Sequence, residues 1–170
     1  MKRTIMCGAI ALLACVSRAN AAEDERNAAR YFLGSWNCIT QIPASGSTAA
    51  RTLRTVWTFA PLSPDSGWIR VVYGDPAAPD GTAVVGYVSE LKKFVYRDFH
   101  ADGSYADISS AAPVDGRWEW SGPYYPATGG ILNGRIAYKM VSPTRYDRTF
   151  ESVVDGKAVA MGGDTCMKLR

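Results

Sequence analysis

The residue type with the most versatile chemistry occurs once in this sequence, as His100. Zinc sites and haem-binding barrels generally use histidine as a ligand, and a Ser-His-Asp triad uses it as the base. His100 stands directly before Ala101-Asp102-Gly103, a turn sequence, so we expect it at an exposed turn. The sequence has no cluster of cysteine and histidine and no G-x-S-x-G element. It therefore predicts no catalytic residue, no metal ligand and no cofactor.

Carboxylates are the next candidates, because Asp98, Asp102 and Asp107 are closely spaced. They could bind calcium, but the spacing is not that of an EF-hand loop and Asp98 falls on a predicted strand. We interpret them as solvated acids beside turns. A glycosidase-like carboxylate pair stays open, since any two acids can meet in space. The sequence leans away from an enzyme without deciding the question.

Aromatic residues offer binding chemistry, because their rings combine apolar surface with a polar tip. Trp118 and Trp120 share one face of a predicted strand, and Arg117 and Glu119 share the other. These tryptophans are either ordinary core or one wall of a ligand site, and both interpretations stay open. From alternation along the central strands, we expect the interior and any ligand site to be lined by Trp57, Tyr73, Tyr87, Tyr96, Trp118 and Trp120.

The elements that would position these side chains are short strands separated by turns. Only residues 23–33 predict a helix, with Asp24 as its cap and Phe32 and Leu33 in an apolar stripe. Because this helix is short, we expect it to pack on an open end of the sheet. The predicted strands are residues 36–42, 51–60, 68–74, 82–90, 93–99, 104–110, 117–121, 131–141, 144–153 and 157–169.

Two connections between these strands carry specific expectations. Residues 75–81 are rich in proline and predict a stiff loop that cannot join a ladder. Residues 121–130 form the longest predicted connection, with two tyrosines bracketed by prolines. Such a loop either flanks a pocket mouth or is a surface loop without a role. Asp155-Gly156 predicts a turn into the last strand.

About ten short strands without a long helical period predict an all-β antiparallel meander. A meander of this length is either an open sandwich or a closed up-and-down barrel, here of about 8–10 strands. Cys38 falls on the first predicted strand and Cys166 on the last. Barrel closure makes these strands neighbours, so we favour the barrel.

Residues 1–21 have the features of a signal peptide: Lys2 and Arg3, an apolar run, and Ala-Asn-Ala at residues 19–21. A competing lipobox ends at Cys15, which would then carry a lipid anchor. Cleavage after the first motif leaves one domain, residues 22–170. We expect the protein to be periplasmic or secreted, or lipid-anchored at Cys15.

Removal of the leader changes the cysteine and charge balance. Cys38 and Cys166 are then the remaining cysteines, and in an oxidising compartment such a pair usually bonds. Two separate buried thiols are the alternative. The whole sequence has 19 Lys and Arg and 16 Asp and Glu, and the leader holds three of the basic residues. The mature chain is therefore neutral, which argues against nucleic acid or an anionic membrane surface as a partner.

Gly34-Ser35-Trp36 resembles the G-x-W opening of lipocalin-like (calycin) barrels. The longer segment, residues 32–38, is similar to that of uncharacterised exported bacterial proteins of the domain-of-unknown-function type. The resemblance covers residues 31–170. It implies a barrel with an apolar cavity and no particular activity. It also implies a basic residue over the tryptophan, a place that Lys168 takes if Cys38 and Cys166 pair. Met167 and Leu169 then lie on the opposite face, which is equally apolar, so the interior face of the first and last strands stays open.

The leading functional hypothesis is an exported, monomeric small barrel that binds a small hydrophobic ligand in its interior. The alternative is a structural or protein-interaction domain of the cell envelope, whose barrel is filled by its own side chains. An enzyme is the third possibility. An empty aromatic-lined cavity favours the first, a packed interior the second, and converging acids or a Ser/His pair the third.

Overall fold

The computed structural model describes residues 27–75 and 77–170. The predicted signal peptide, including Cys15, lies outside the described residues. A 3₁₀ helix, Ala28–Phe32, precedes ten strands. The strands are β1 (Gly34–Ile42), β2 (Arg51–Pro61), β3 (Ile69–Asp75), β4 (Ala78–Val88), β5 (Lys93–His100), β6 (Tyr105–Ser110), β7 (Arg117–Tyr125), β8 (Leu132–Ser142), β9 (Arg145–Val154) and β10 (Lys157–Lys168).

The strands close into one barrel in the order β1-β10-β9-β8-β7-β6-β5-β4-β3-β2. Every neighbouring pair is antiparallel. The prediction of an all-β, lipocalin-like up-and-down barrel is therefore confirmed, and the open sandwich is excluded because β1 pairs with β10. Among the described residues, no helix is long and apolar enough to cross a membrane.

Several element boundaries differ from prediction, for identifiable reasons. The helix is a short 3₁₀ turn, and residues 23–26 of its predicted span lie outside the described residues. Residues 78–81 join β4, where Pro79 pairs with Gly74 across a bulge, so the predicted stiff loop is wrong there. Residues 121–125 likewise belong to β7 and not to a loop. Pro123 is tolerated because β6 has no pairing partner at that position of β7, so its missing N–H breaks no ladder bond there.

The end of the barrel where β1 begins, here the proximal end, is closed by aromatic packing. The Phe32 ring lies 5.1 Å from Tyr146 and 5.5 Å from Phe59, measured between centroids. Trp36 is fully buried, and its indole N–H donates to the Phe32 carbonyl over 2.6 Å. The 3₁₀ helix thus covers one open end of the barrel, as the sequence predicts.

The seam between β1 and β10 carries a disulfide bond between Cys38 and Cys166. Both cysteines are fully buried, so they face the interior. The Lys168 ammonium group lies 5.3 Å from the centre of the Trp36 ring, as expected from the pairing. Met167 points outward and is half exposed, which settles which face of β10 is interior.

Candidate functional site

The aromatic residues predicted to line the interior do lie there. Trp57, Tyr73, Tyr96, Trp118 and Trp120 are buried, and Tyr87 is half-buried against the same core. They pack on one another: ring centroids are 4.4 Å apart for Trp57 and Tyr73, and 4.8 Å apart for Trp118 and Trp120. Their role toward a ligand stays a prediction.

The space between these rings is small. One cavity of about 20 Å³ is lined by Tyr96, Trp118, Trp120 and Tyr138, among others. A second of about 10 Å³ lies beside the 3₁₀ helix. A cavity needs about 10–15 Å³ to hold one water molecule. A ligand larger than that would have to displace core side chains from the proximal half of the barrel.

The other half of the interior contains a buried ion pair. Two guanidinium nitrogens of Arg148 on β9 contact one carboxylate oxygen of Asp164 on β10. The Asp164 side chain has no exposed surface and that of Arg148 keeps 12 %. The guanidinium carbon lies 4.3 Å from the centre of the Trp57 ring, within cation–π distance. The pair is therefore held against an aromatic surface inside the barrel.

Tyr73, which also contacts Trp57, begins a second polar group. Its ring stacks on Trp57 with an interplanar angle of 16°. The Tyr73 hydroxyl donates to Asp98 over 2.9 Å and lies 2.9 Å from His100 Nδ1. His100 Nε2 is 3.4 Å from the other Asp98 oxygen. We call this connected group of side chains the polar floor: Asp98, His100, Tyr73, Trp57, Arg148 and Asp164.

Tyr73 reaches Asp98 only because the strand between them offers space. β4 lies between β3 and β5, and Gly81 is the β4 residue that pairs with Tyr73. A Cβ at Gly81 would lie 2.1 Å from the Tyr73 hydroxyl oxygen. The absence of a side chain at Gly81 therefore lets the phenol cross β4 and contact β5.

Burial governs the ionisation of the floor. Desolvation raises the pKa of Asp98, although His100, Tyr73 and Arg148 each act to lower it. Desolvation and the neighbouring Asp98 both raise the pKa of Tyr73, so its phenol stays protonated and remains a donor. Desolvation, the largest single influence, lowers the pKa of Arg148, but the Asp164 carboxylate and the neighbouring tyrosines together outweigh it, so the pKa is raised. Arg148 is therefore cationic at every physiological pH.

His100 and Asp98 correct the predictions made for them. His100 is the last residue of β5, and its side chain points into the barrel instead of occupying an exposed turn. Asp98 is buried and not solvated. The signal was present in the alternation of Phe94, Tyr96, Asp98 and His100 along one strand face. Asp102 is an exposed turn acid that accepts hydrogen bonds from Ser104, as predicted.

The end of the barrel away from the 3₁₀ helix, here the distal end, is more open. Along the inward face of β2, exposure rises from 6 % at Trp57 to 39 % at Leu53. Leu53 pairs with the buried Thr40, and the exposed Val159 pairs with the buried Ser152, so both share the interior face. Leu53, Val154 and Val159 form what we call the distal lip. The polar floor thus lies beneath a solvent-accessible mouth with an apolar lip.

The groups of the polar floor mainly contact one another. His100 Nδ1 lies 2.9 Å from the Tyr73 hydroxyl, and Nε2 lies 3.4 Å from an Asp98 oxygen. Within residues 27–75 and 77–170, no group of three or more acidic, histidine or cysteine side chains could hold a metal ion. Four buried side-chain polar atoms lack a hydrogen-bond partner in that part of the chain: Tyr96 Oη, Arg97 Nη1, Trp120 Nε1 and Asp164 Oδ1. The Arg97 atom forms an ion pair with Asp107.

No protein-family model matches the sequence. No curated protein matches it either. Similar folds occur among solved structures. A protein of unknown function from the DUF3598 family of Nostoc punctiforme is 12% identical with a TM-score of 0.55; the match covers 82% of this chain and 48% of that one.

A second similar structure is the S-type phycobiliprotein lyase CPES from Guillardia theta. It is 13% identical with a TM-score of 0.59, over 83% of this chain and 90% of that one. This chain spans about half the length of the DUF3598 protein and nearly all of the lyase. At these identities the likeness shows a shared lipocalin-like barrel fold and nothing finer.

Proposed function

We propose that the protein is an exported lipocalin-like barrel that binds a small, largely apolar molecule at the distal mouth, above the polar floor. The observation that carries this proposal is the buried Arg148–Asp164 pair beneath an apolar lip. A buried ion pair is often no more stabilising than apolar residues of similar volume, so stability alone gives little reason to keep one. A binding role for the floor supplies that reason.

Export is part of the proposal and has two supports. The first is the N-terminal sequence, with its basic start, apolar run and cleavage motif. The second is the Cys38–Cys166 disulfide, because such bonds persist in oxidising compartments. A periplasmic or secreted location follows, or a lipid anchor at Cys15 if the lipobox is used. N-terminal sequencing of the protein recovered from its own cell distinguishes these routes.

The solved phycobiliprotein lyase adds limited support. It shows that a barrel of this fold occurs in a protein that acts on another molecule. The proposal takes no ligand and no reaction from it.

The test is native mass spectrometry of the protein purified from its own compartment, followed by titration. We expect a retained small molecule in the mass spectrum. In titrations with a fatty acid, a quinone and a hydrophobic dye, we expect saturable changes in tryptophan fluorescence, since Trp57 belongs to the floor. In the same titrations Phe99→Ala should behave like the wild type, because this exposed aromatic residue lies on the outer face of β5. No retained molecule and no saturable change would contradict the proposal.

The second candidate is a structural or protein-interaction domain of the envelope with a filled barrel. The small cavities, about 10 and 20 Å³, favour it. Under this hypothesis the ion pair is only structural, and Leu53→Ser at the distal lip changes neither the mass of any retained molecule nor dye binding. Under the leading proposal the same substitution weakens binding, because apolar contact area is lost.

A further inference from the structure

The last strand of the barrel is paired unequally along its two sides. On one side β10 pairs with β9 from Lys157 to Met167. On the other side it pairs with β1 only from Gly163 to Lys168. Among the residues that the structure describes, no strand or turn pairs with the β1 side of residues 157–161. This segment, which we call the free edge, therefore extends beyond the closed part of the barrel.

The free edge is exposed and almost without charge. Each of its residues is exposed, and Val159 and Met161 each keep 46 % of their surface accessible. Lys157, at its start, is its one charged residue. The connection between β1 and β2 closes on itself through bonds between Ser45 and Thr48 and forms no backbone bond with β10. An exposed apolar edge with unpaired N–H and C=O groups is a template for another strand.

The direction of these backbone groups follows from the hairpin between β9 and β10. Its turn is Asp155-Gly156, so the flanking Val154 and Lys157 exchange hydrogen bonds across the hairpin. Bonded and non-bonded positions alternate along an antiparallel strand. The N–H and C=O groups of Ala158 and Ala160 therefore point away from β9, because the register with β9 shifts only after Ala160. These two alanines offer the hydrogen bonds that a further strand would use.

We infer that the free edge pairs with the same edge of a second copy, which gives a two-fold symmetric dimer. In the antiparallel arrangement, Ala158 of each copy lies opposite Ala160 of the other, and both pairs exchange backbone hydrogen bonds. Val159 lies at the two-fold axis, opposite Val159 of the other copy. Each free edge occupies the other, so the assembly is closed and does not continue into a filament.

The charge of Lys157 favours this arrangement over a stack of parallel strands. In a parallel pair in register, the two lysines would lie side by side, and like charges at neighbouring positions are destabilising. In the antiparallel pair they lie at opposite ends of the contact, about 13 Å apart along the strands, each beside Met161 of the other copy. The contact is much smaller than the roughly 800 Å² per partner of a stable complex, so we expect a weak dimer, populated at about 100 μM and above.

Disulfide trapping tests the register. Directly opposed residues that exchange no hydrogen bonds have Cα atoms about 4.5 Å apart, a distance that a disulfide spans. At about 100 μM protein, we expect air oxidation of Val159→Cys to give a covalent dimer on a non-reducing gel. Ile131→Cys is the matched control, because Ile131 is also exposed at the distal end but lies between β7 and β8. It should remain mostly monomeric.

Two further variants test the contact without a new thiol. Ala158→Pro removes an outward N–H and no bond to β9, and proline is tolerated at such edge positions. Val159→Lys places like charges directly opposite each other at the two-fold axis. Analytical ultracentrifugation should show a reversible dimer for the wild type and for Ile131→Ser, and a loss of dimer in both edge variants. Circular dichroism verifies that the variants fold.

The outcomes decide between this contact and its alternatives. Sedimentation of the wild type as a monomer, the state expected from the sequence, would overturn the inference and leave the free edge to an extended segment of another protein. A dimer that survives both Ala158→Pro and Val159→Lys would overturn it too, since the contact would lie elsewhere. So would equal trapping of Val159→Cys and Ile131→Cys. These measurements use no ligand, so their failure leaves the proposed function untouched.

Discussion

Gly81 shows how one missing side chain organises the interior. Tyr73 crosses β4 at this position and joins β3 to Asp98 and His100 on β5. The same phenol stacks on Trp57, whose ring centre lies 4.3 Å from the guanidinium carbon of Arg148. Contacts on the two sides of the barrel therefore depend on the space above a single glycine.

Gly81→Ala should displace the Tyr73 hydroxyl from Asp98, because the added Cβ would lie 2.1 Å from it. Overpacking of this kind costs about 1–3 kcal/mol. Urea denaturation monitored by circular dichroism gives the change in unfolding free energy.

The control for this change is a double-mutant cycle with Tyr73→Phe. Phenylalanine lacks the hydroxyl that meets the new methyl group, so Gly81→Ala should cost less in the Tyr73→Phe background than in the wild type. Additive effects of the two substitutions would show that the hydroxyl is not the group displaced.

Asp98 should give the protein a recognisable pH dependence. Burial raises its pKa above the usual 3.8 in the folded state. A folded-state pKa above the unfolded one means that the stabilising contribution is complete below the unfolded pKa. It is lost as the pH rises through the folded pKa.

Relative to Asp98→Asn, the wild type should therefore lose unfolding free energy as the pH rises from acidic toward neutral. The slope is at most about 1.4 kcal/mol per pH unit. Urea denaturation of both proteins across this range measures it. A difference between the two proteins that grows in favour of the wild type with rising pH would show that the folded-state pKa is lowered instead.

β1 and β10 act as the closing pair of the barrel. Their pairing extends from Trp36 and Lys168 to Gln41 and Gly163, and the disulfide lies within it. Both strands contribute buried residues on one face only, so the seam is also part of the core.

Replacement of Cys38 and Cys166 by alanine should destabilise the protein by about 2–5 kcal/mol, because the disulfide limits the unfolded chain. The loop that it closes is long, with a sequence separation of 128. Mass spectrometry of the wild type purified from its own cell should show a deficit of two hydrogen atoms. Two free thiols per chain would contradict the bond.

Trp36→Ala tests the closure of the proximal end. The indole is fully buried beside Tyr146. Its N–H donates to the carbonyl of Phe32, the last residue of the 3₁₀ helix. A large-to-small change at such a site costs about 3–5 kcal/mol. Met167→Ala, on the outward face of the same seam, should stay within about 0.5 kcal/mol of the wild type. Similar losses in both variants would contradict the assigned faces.

The barrel as a whole could be predicted because apolar and polar residues alternate along its strands and its turns carry aspartate and glycine. Asp155 and Gly156, for example, join β9 and β10 directly, and both residues have a positive φ. Pro79 and Pro123 misled the prediction, since a bulge and an unpaired stretch of ladder accommodate them. Alternation along single strands could place the inward residues of the polar floor, but their assembly into one group was not predictable. Arg148 and Asp164 are far apart from His100 in the sequence, and only closure of the sheet brings their strands around Trp57 and Tyr73.

Closure of the sheet also removes any structural need for the chain to start where it does. The Leu169 N–H donates to the Ser35 carbonyl over 2.8 Å, so the end of β10 lies beside the start of β1. A linker from there to the 3₁₀ helix would make the backbone circular. Cutting it at the exposed Asp155-Gly156 turn would give a circular permutant that begins with β10 and ends with β9. In that permutant Cys166 precedes Cys38 by a short segment, so the disulfide that closes a long loop in the natural order closes only a short one.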